Sequence, residues 1–257
     1  MKFRKSSDRR FKSTANLFFT YLTTMRLLPG LKESLLHLAF PHICAGCGTD
    51  VLDKEHALCL RCLHALPKTG FHPHAGNPVE KLFWGRLPVE AATAQFYFTK
   101  SSLMQHLMHR FKYRGDKTLG SYLGRLMGNR LQETDRFATV DALVPLPLFA
   151  AKERRRGFNQ SAILCQGIAE VLQKPVYQNK IIRTAGTESQ TKKNRSDRWQ
   201  NVEGRFEWKS TEGMAGKHLL LVDDVVTTGA TLEACGRTIL QEGSVRLSVA
   251  ALCVASE

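Results

Sequence analysis

The run Leu219–Thr231, LLLVDDVVTTGAT, decides how the rest of the chain is read. Four aliphatic residues, Leu219–Val222, predict a buried central strand. Asp223 and Asp224 follow at its carboxyl end, the edge where open α/β sheets bind ligands. Two adjacent acids beside a hydrophobic strand are costly unless hydrogen bonds or a metal compensate them. Two vicinal ribose hydroxyls are suitable donors for such a pair. Val226, Thr227, Thr228, Gly229, Ala230 and Thr231 then turn into a helix, whose free N–H groups and partial positive charge favour an anion. Small side chains let a phosphate approach the backbone, and three threonine hydroxyls add donors. Thr227 or Thr228 as a plain helix cap is the alternative. The doubled acids, doubled threonines and aliphatic strand together favour the phosphate site.

Outward from this junction, strands and helices alternate. Downstream, Ala230–Gln241 is a helix with Leu232, Cys235 and Ile239 on one face, and Val245–Val254 is a last strand. Upstream, Ala91–Phe98 and Asp141–Leu148 are strands, and Val176–Ile182 is read as a third. Between them lie helices at Ser101–Lys112, at a stripe of Leu119, Tyr122, Leu123, Leu126 and Met127, and at Asn159–Gln173. This order predicts an α/β fold: a parallel sheet with helices on both faces. Residues 183–205 are polar and charged, without periodicity.

The chain has 257 residues, 43% of them hydrophobic, enough for one sizeable α/β domain and a smaller module. Its formal charge of +14 suits a polyphosphate, a nucleic acid or an acidic membrane surface, or simply a soluble basic surface. No stretch reaches the ~20 apolar residues needed to span a bilayer. Peripheral membrane association stays open. Leu17–Leu28, behind the basic Lys2–Lys12 run, is too short and lacks a small-residue cleavage site, so it is not read as a signal peptide. Residues 1–30 are expected to form a basic, disordered or loosely helical extension, with Met25 an alternative start.

Four of the seven cysteines form two close pairs, Cys44-x2-Cys47 and Cys59-x2-Cys62, with eleven residues between them. Each pair makes a knuckle that points two thiolates at one centre, and four thiolates satisfy tetrahedral zinc with no open position. A redox pair or an iron–sulfur cluster is the alternative; two pairs at ribbon spacing favour structural Zn. His42, His56 and His64 lie nearby but are not needed as ligands. The site either staples a domain too small to fold alone or binds nucleic acid as a zinc knuckle; its size favours the staple. Cys165, Cys235 and Cys253, scattered among apolar residues, read as free thiols in a reducing compartment, so a cytoplasmic protein is expected. The resulting organisation is a 31–68 module (an amphipathic helix, Leu31–Phe40, plus a four-cysteine zinc ribbon), a 69–90 linker or hood, and a 91–257 core.

The run VDDVVTTGAT closely resembles the phosphoribosyl pyrophosphate (PRPP) signature of type I phosphoribosyltransferases. Together with FPHICAGCG, KYRGDK (Lys112–Lys117), VPLPL (Val144–Leu148) and RRRGFNQS (Arg154–Ser161), it resembles the ComF family over residues 31–257. That resemblance implies that Asp223 and Asp224 contact the ribose hydroxyls and Thr227–Thr231 the 5-phosphate, with Mg bridging pyrophosphate and ribose oxygens. It places Arg155, Arg156 and Gly157, in the basic segment from Lys152 read as the pyrophosphate loop, beside the pyrophosphate. It also makes residues 183–205, including Lys192 and Arg195, either a catalytic loop that closes over the donor or a surface loop. The expected activity is phosphoribosyl transfer with an unread acceptor; a non-catalytic PRPP sensor or DNA-uptake factor is the alternative. Implied partners are PRPP, single-stranded DNA and the DNA-uptake machinery of natural transformation.

Overall fold

The computed structural model describes residues 42–50, 56–184, 205–241 and 243–255. The expected extension, the Leu31–Phe40 helix, and Lys192 and Arg195 lie outside the described residues. In chain order the elements are α1 (Leu60–His64), α2 (Pro78–Lys81), β1 (Ala92–Phe98), α3 (Leu103–Tyr113), α4 (Lys117–Gln132) and β2 (Ala142–Pro145). There follow α5 (Ala150–Arg156), α6 (Gln160–Leu172), β3 (Ile181–Thr184), β4 (Arg205–Trp208), β5 (His218–Val226), α7 (Ala230–Leu240) and β6 (Arg246–Ala255).

A four-stranded sheet of order β1-β6-β5-β2, parallel throughout, forms the centre. The aliphatic run of β5 explains its central place, because side chains alternate across a strand and both faces here are covered. Leu220 and Val222 join one core with Met104, Leu107 and Phe111 of α3, Leu123 and Met127 of α4, and Leu164 and Ile168 of α6. Leu219 and Leu221 face the other way, onto Leu232, Cys235 and Ile239 of α7. Phe71, Val79, Phe83 and Leu87 belong to that second core, so the 69–90 segment packs against the sheet rather than running free of it. Asn77 caps α2 and donates to Ala92 O, while Glu80 pairs with Arg136 and accepts from the Ala92 N–H, tying the segment to β1.

Two local expectations meet a different outcome. Val176 makes only an isolated parallel bridge to Leu143, and the regular strand begins at Ile181, pairing antiparallel with β4. The reason is local: Asn179 is in a left-handed turn (φ 63°), which breaks the run before Ile181. The basic segment from Lys152 is a helix, α5, rather than a loop. Its Ala-Ala-Lys-Glu-Arg-Arg-Arg sequence is made of strong helix formers, and Gly157 (φ 81°) ends it in a left-handed cap.

Helices α4 and α6 approach closely through glycine. A Cβ on Gly167 would lie 2.1 Å from Ser121 O, and one on Gly124 would lie 2.4 Å from Leu164 O. Replacing glycine by alanine within a helix ordinarily gains about 1 kcal/mol. Here the collision is with backbone, which no rotamer relieves, so the sign reverses. Gly167→Ala is expected to destabilise the fold by about 1–3 kcal/mol, read as a lower urea midpoint at unchanged slope.

Candidate functional site

Asp223 and Asp224 lie at the carboxyl end of β5, where the strand runs into α7. The Asp223 carboxylate accepts from Ser161 Oγ (3.3 Å) and from the Asp224 N–H (2.7 Å). Burial, and after it the adjacent Asp224 charge, push its pKa up to about 7; the Asp224 N–H, Lys112 and Ser161 oppose this without cancelling it. Asp224 is held differently: its Oδ2 is 2.7 Å from Lys112 Nζ, which reaches in from the end of α3.

Next to the acids, Asp223 and residues 225–232 line a cavity of about 50 Å3. Thr227 and Thr228 are exposed, while Gly229 is buried in a left-handed conformation (φ 76°) and is itself the residue that caps α7. It offers no side-chain cap, so the plain-cap alternative for the threonines finds only one long contact, Ala230 N–H to Thr228 Oγ1 at 3.4 Å. The N–H groups of the first turn of α7 therefore border a small cavity beside two carboxylates, a suitable place for a phosphate. The 69–90 segment braces this loop. Phe83 packs so closely that a Cβ on Gly229 would be 3.2 Å from its ring, and Arg86 donates to Thr228 O while pairing with Glu233.

The basic residues divide. Arg154 and Arg155 are exposed and carry no ion pair among the described residues. Arg156 donates to Gln160 Oε1 at 2.7 Å and lies over the Tyr113 ring. Gly157 donates its N–H to Glu153 O at 2.7 Å, a helix-ending role. Lys152 is the member of α5 that senses the acids. Burial, first of all, and the charges of Arg156, Lys112 and Arg183 lower its pKa, while Asp224 raises it. Arg183, on β3, is stacked 4.2 Å from the centre of the Phe149 ring and 5.2 Å from that of Phe206. Arg183 pairs with Phe206 across β3 and β4, the strands that precede and follow residues 185–204 in the sequence.

Sequence reading assigned no role to Lys112 or Ser161, although both fall in quoted segments. In KYRGDK, Lys112 pairs with Asp224, Gly115 turns with φ 68°, and Asp116 caps α4 through the Leu119 N–H while pairing with Arg110 at 2.6 Å. In FNQS, Asn159 caps α6 and Ser161 reaches Asp223.

At the other end of the chain the four predicted metal ligands do converge. The Sγ atoms of Cys44, Cys47, Cys59 and Cys62 lie within 4.8 Å of one another and can hold a metal ion. Burial tends to raise the Cys44 thiol, but the N–H groups of Cys47, Cys59 and Gly46 outweigh it and bring it down to about 6. Cys62 is pushed up to about 12, first by burial and then by the sulfurs of Cys47, Cys44 and Cys59. Four crowded thiols cannot all ionise without a cation among them, so the donor set fits a tetrahedral thiolate metal. His42 bonds instead to His56 O, outside the cluster. Among the described residues, no helix is long and apolar enough to cross a membrane.

Residues 159–257 match the phosphoribosyl transferase domain family, and the parallel sheet agrees, so the chain carries a phosphoribosyltransferase-fold core. The chain is 31% identical over 222 residues to "DNA utilization protein YhgH" of Escherichia coli O157:H7, covering 84% of this chain and 92% of that protein. It is 27% identical over 219 residues to "Competence protein F" of Haemophilus influenzae, covering 83% and 91% respectively. To "Competence protein ComFC" of Bacillus subtilis it is 34% identical over 153 residues, 57% of each chain. The chain belongs to the ComF family.

Proposed function

We propose that the protein binds PRPP with Mg at the junction of β5 and α7 and transfers its phosphoribosyl group to an acceptor in a process that handles incoming DNA. The observation that carries this reading is Asp223, with Asp224 next to it at the end of β5, lining a small cavity together with residues 225–232. In it, Asp223 and Asp224 accept from the ribose 2- and 3-hydroxyls, and residues 226–231 wrap the 5-phosphate. Lys152 and Arg156, joined by Lys192 and Arg195 from the 185–204 segment, neutralise the leaving pyrophosphate. The bond from ribose C1 to the pyrophosphate oxygen breaks with its electron pair going to pyrophosphate, and the acceptor's nucleophile bonds to C1. Asp223 and Asp224 supply hard oxygen ligands, a donor set that fits Mg; when bound it would neutralise charge on the donor. Zn is the assignment for the four cysteines, on their donor chemistry. Buried Cys165, Cys235 and Cys253 suit a reducing, cytoplasmic setting.

The test is pyrophosphate release from PRPP offered with nucleobases, nucleosides and single-stranded DNA in turn. Tight PRPP binding with no release across that series would favour the second reading, a non-catalytic PRPP-binding DNA-uptake factor. The names of the relatives, DNA utilization and competence proteins, favour that reading as much as an enzyme. Direct DNA binding through phosphates should weaken steeply with salt.

The Asp223 environment gives a pH prediction. Its carboxyl, ordinarily ionised above pH 4, titrates at about 7, and hydroxyl donors or Mg require it ionised. PRPP affinity is therefore expected to rise with pH, by up to about tenfold per unit below pH 7, and to level off above it. Calorimetry in buffers of different ionisation enthalpy should show a proton released on binding near neutrality. The donor's own 5-phosphate titrates near pH 6, so Asp223→Asn is the control: it should flatten the Asp223 part of the profile only.

A further inference from the structure

Lys112 has no role in the reading above, yet it makes a close ion pair with one of the two acids. Its Nζ is 2.7 Å from Asp224 Oδ2, with only 19% and 15% of the two side chains exposed. That oxygen is one that a ribose hydroxyl or a divalent ion would need. Lys152 of α5 is within electrostatic reach of both Asp224 and Lys112, and Arg156 and Arg183 in turn act on Lys152. Lys112 and Lys152 both act on this acid corner, so removing Asp224 as a partner would leave Lys112 beside a like charge and favour an anion there. Lys112 lies on the last turn of α3 immediately before the Gly115 turn, at the end of a long side chain that can reach more than one partner.

We propose that Lys112 is a positioning residue that competes with a free divalent cation for Asp224 and exchanges Asp224 for the pyrophosphate of the incoming donor. The site then rejects Mg alone and accepts it together with PRPP. This rests on the PRPP reading. The consequence is a pair of opposite effects from one substitution. Removing the ammonium frees Asp224 for a cation, so cation binding improves; it also removes a positive charge from the pyrophosphate, so donor binding weakens. A merely structural lysine would produce loss in both.

The test uses the full-length protein, with Mn2+ alone read by electron paramagnetic resonance and Mg–PRPP read by calorimetry. Lys112→Met is expected to bind Mn2+ about tenfold more tightly and PRPP at least tenfold more weakly than wild type. Lys112→Arg, which keeps the charge, is expected to stay within about threefold of wild type in both. Unchanged PRPP affinity in Lys112→Met, with PRPP binding intact in wild type, overturns the exchange; unchanged Mn2+ affinity overturns the competition. If wild type itself fails to bind PRPP, the functional reading is wrong, and the Mn2+ measurement still decides whether Lys112 guards Asp224. A misfolded Lys112→Met would lose Mn2+ affinity as well, and Lys112→Arg then carries the comparison.

Discussion

Asp223→Asn is expected to weaken PRPP binding by about 100-fold while making the protein more stable at pH 8. The two effects have one cause. The asparagine Oδ1 can keep both hydrogen bonds the carboxylate now accepts, from Ser161 Oγ and from the Asp224 N–H, so the loop geometry is preserved. What disappears is a charge held in a place that disfavours it. The folded-state pKa, about 7, is raised above the ordinary 3.8 by burial and by Asp224. A raised carboxyl favours the folded state in acid, and that contribution is lost as pH rises from the unfolded value through the folded one. Above pH 7 the wild-type protein therefore carries an ionised, buried Asp223 at a cost, and the asparagine removes it. The ligand side runs the other way. Charge-assisted hydrogen bonds to ribose hydroxyls are worth about 1.5–3 kcal/mol each, so losing one or two charged contacts gives roughly 100-fold. Thermal melts at pH 5 and pH 8, set beside calorimetry with PRPP, check both halves: the stabilisation should appear at pH 8 and vanish at pH 5. A variant less stable than wild type at pH 8 would show that Asp223 is kept for structure, not for a ligand. Activity bought with local instability is the expected pattern at a binding site.

Why the loop was legible and its surroundings were not follows from how each is encoded. The β5–α7 junction is contiguous: strand, acids, small residues and helix occur in one run, so composition and order determine the local geometry. The alternation of Leu219 to Val222 between two cores is likewise dictated by a period of two. Lys112, by contrast, is 112 residues upstream of Asp224 in the sequence and meets it only because β1 and β6 pair and carry α3 to the same sheet edge. A lysine in a Lys-Tyr-Arg-Gly run looks like any solvated helix end until the topology is known. The resemblance points to Arg155, Arg156 and Gly157 by their place after the β2 strand, but which members of the run meet other side chains depends on helix periodicity. With α5 helical, Lys152 and Arg156 share one side, four residues apart; Lys152 and Arg155 are both exposed, and Arg156 is half-buried. The 69–90 segment was hardest to read because its early Pro and Gly residues signal a connector. Its Val79, Phe83 and Leu87 recur every four residues, a helical spacing, but Pro73, Pro78, Gly85 and Pro88 interrupt the pattern and hide it, although these three and Phe71 are all buried.

Stripping the metal from the cysteine cluster is expected to have the largest effect on stability. Cys44 and Cys62 are not on a separate knob: with Ala45, Ala57, Leu58 and Leu66 they belong to the same apolar core as Phe96, Met104, Leu107 and Tyr122. The elements holding them are minimal, one five-residue helix and a few turns, far below the length at which a helix is stable alone. What fixes residues 42–50 and 56–66 against α3 and α4 is therefore the four-sulfur centre together with that apolar contact. Structural zinc supplies about 10–16 kcal/mol in isolated finger peptides, a quantity comparable to the entire 5–15 kcal/mol stability of an ordinary domain. Losing it leaves thiols of opposed preference, Cys44 inclined to ionise and Cys62 strongly disinclined, in a space that holds them within 4.8 Å. The module then opens, and the faces of α3 and α4 beneath it meet water. Cys62→Ser is expected to remove one equivalent of zinc by elemental analysis, lower the melting temperature by more than about 10 °C, and drive the protein toward aggregation. Chelation of the wild type should reproduce the loss, and added zinc should reverse it in the wild type but not in the variant. Because α3 also carries Lys112, the same treatment should weaken PRPP binding without touching any residue of the β5–α7 loop. A metal-free protein that kept both its melting temperature and its PRPP affinity would mean that the apolar contact alone holds the module in place.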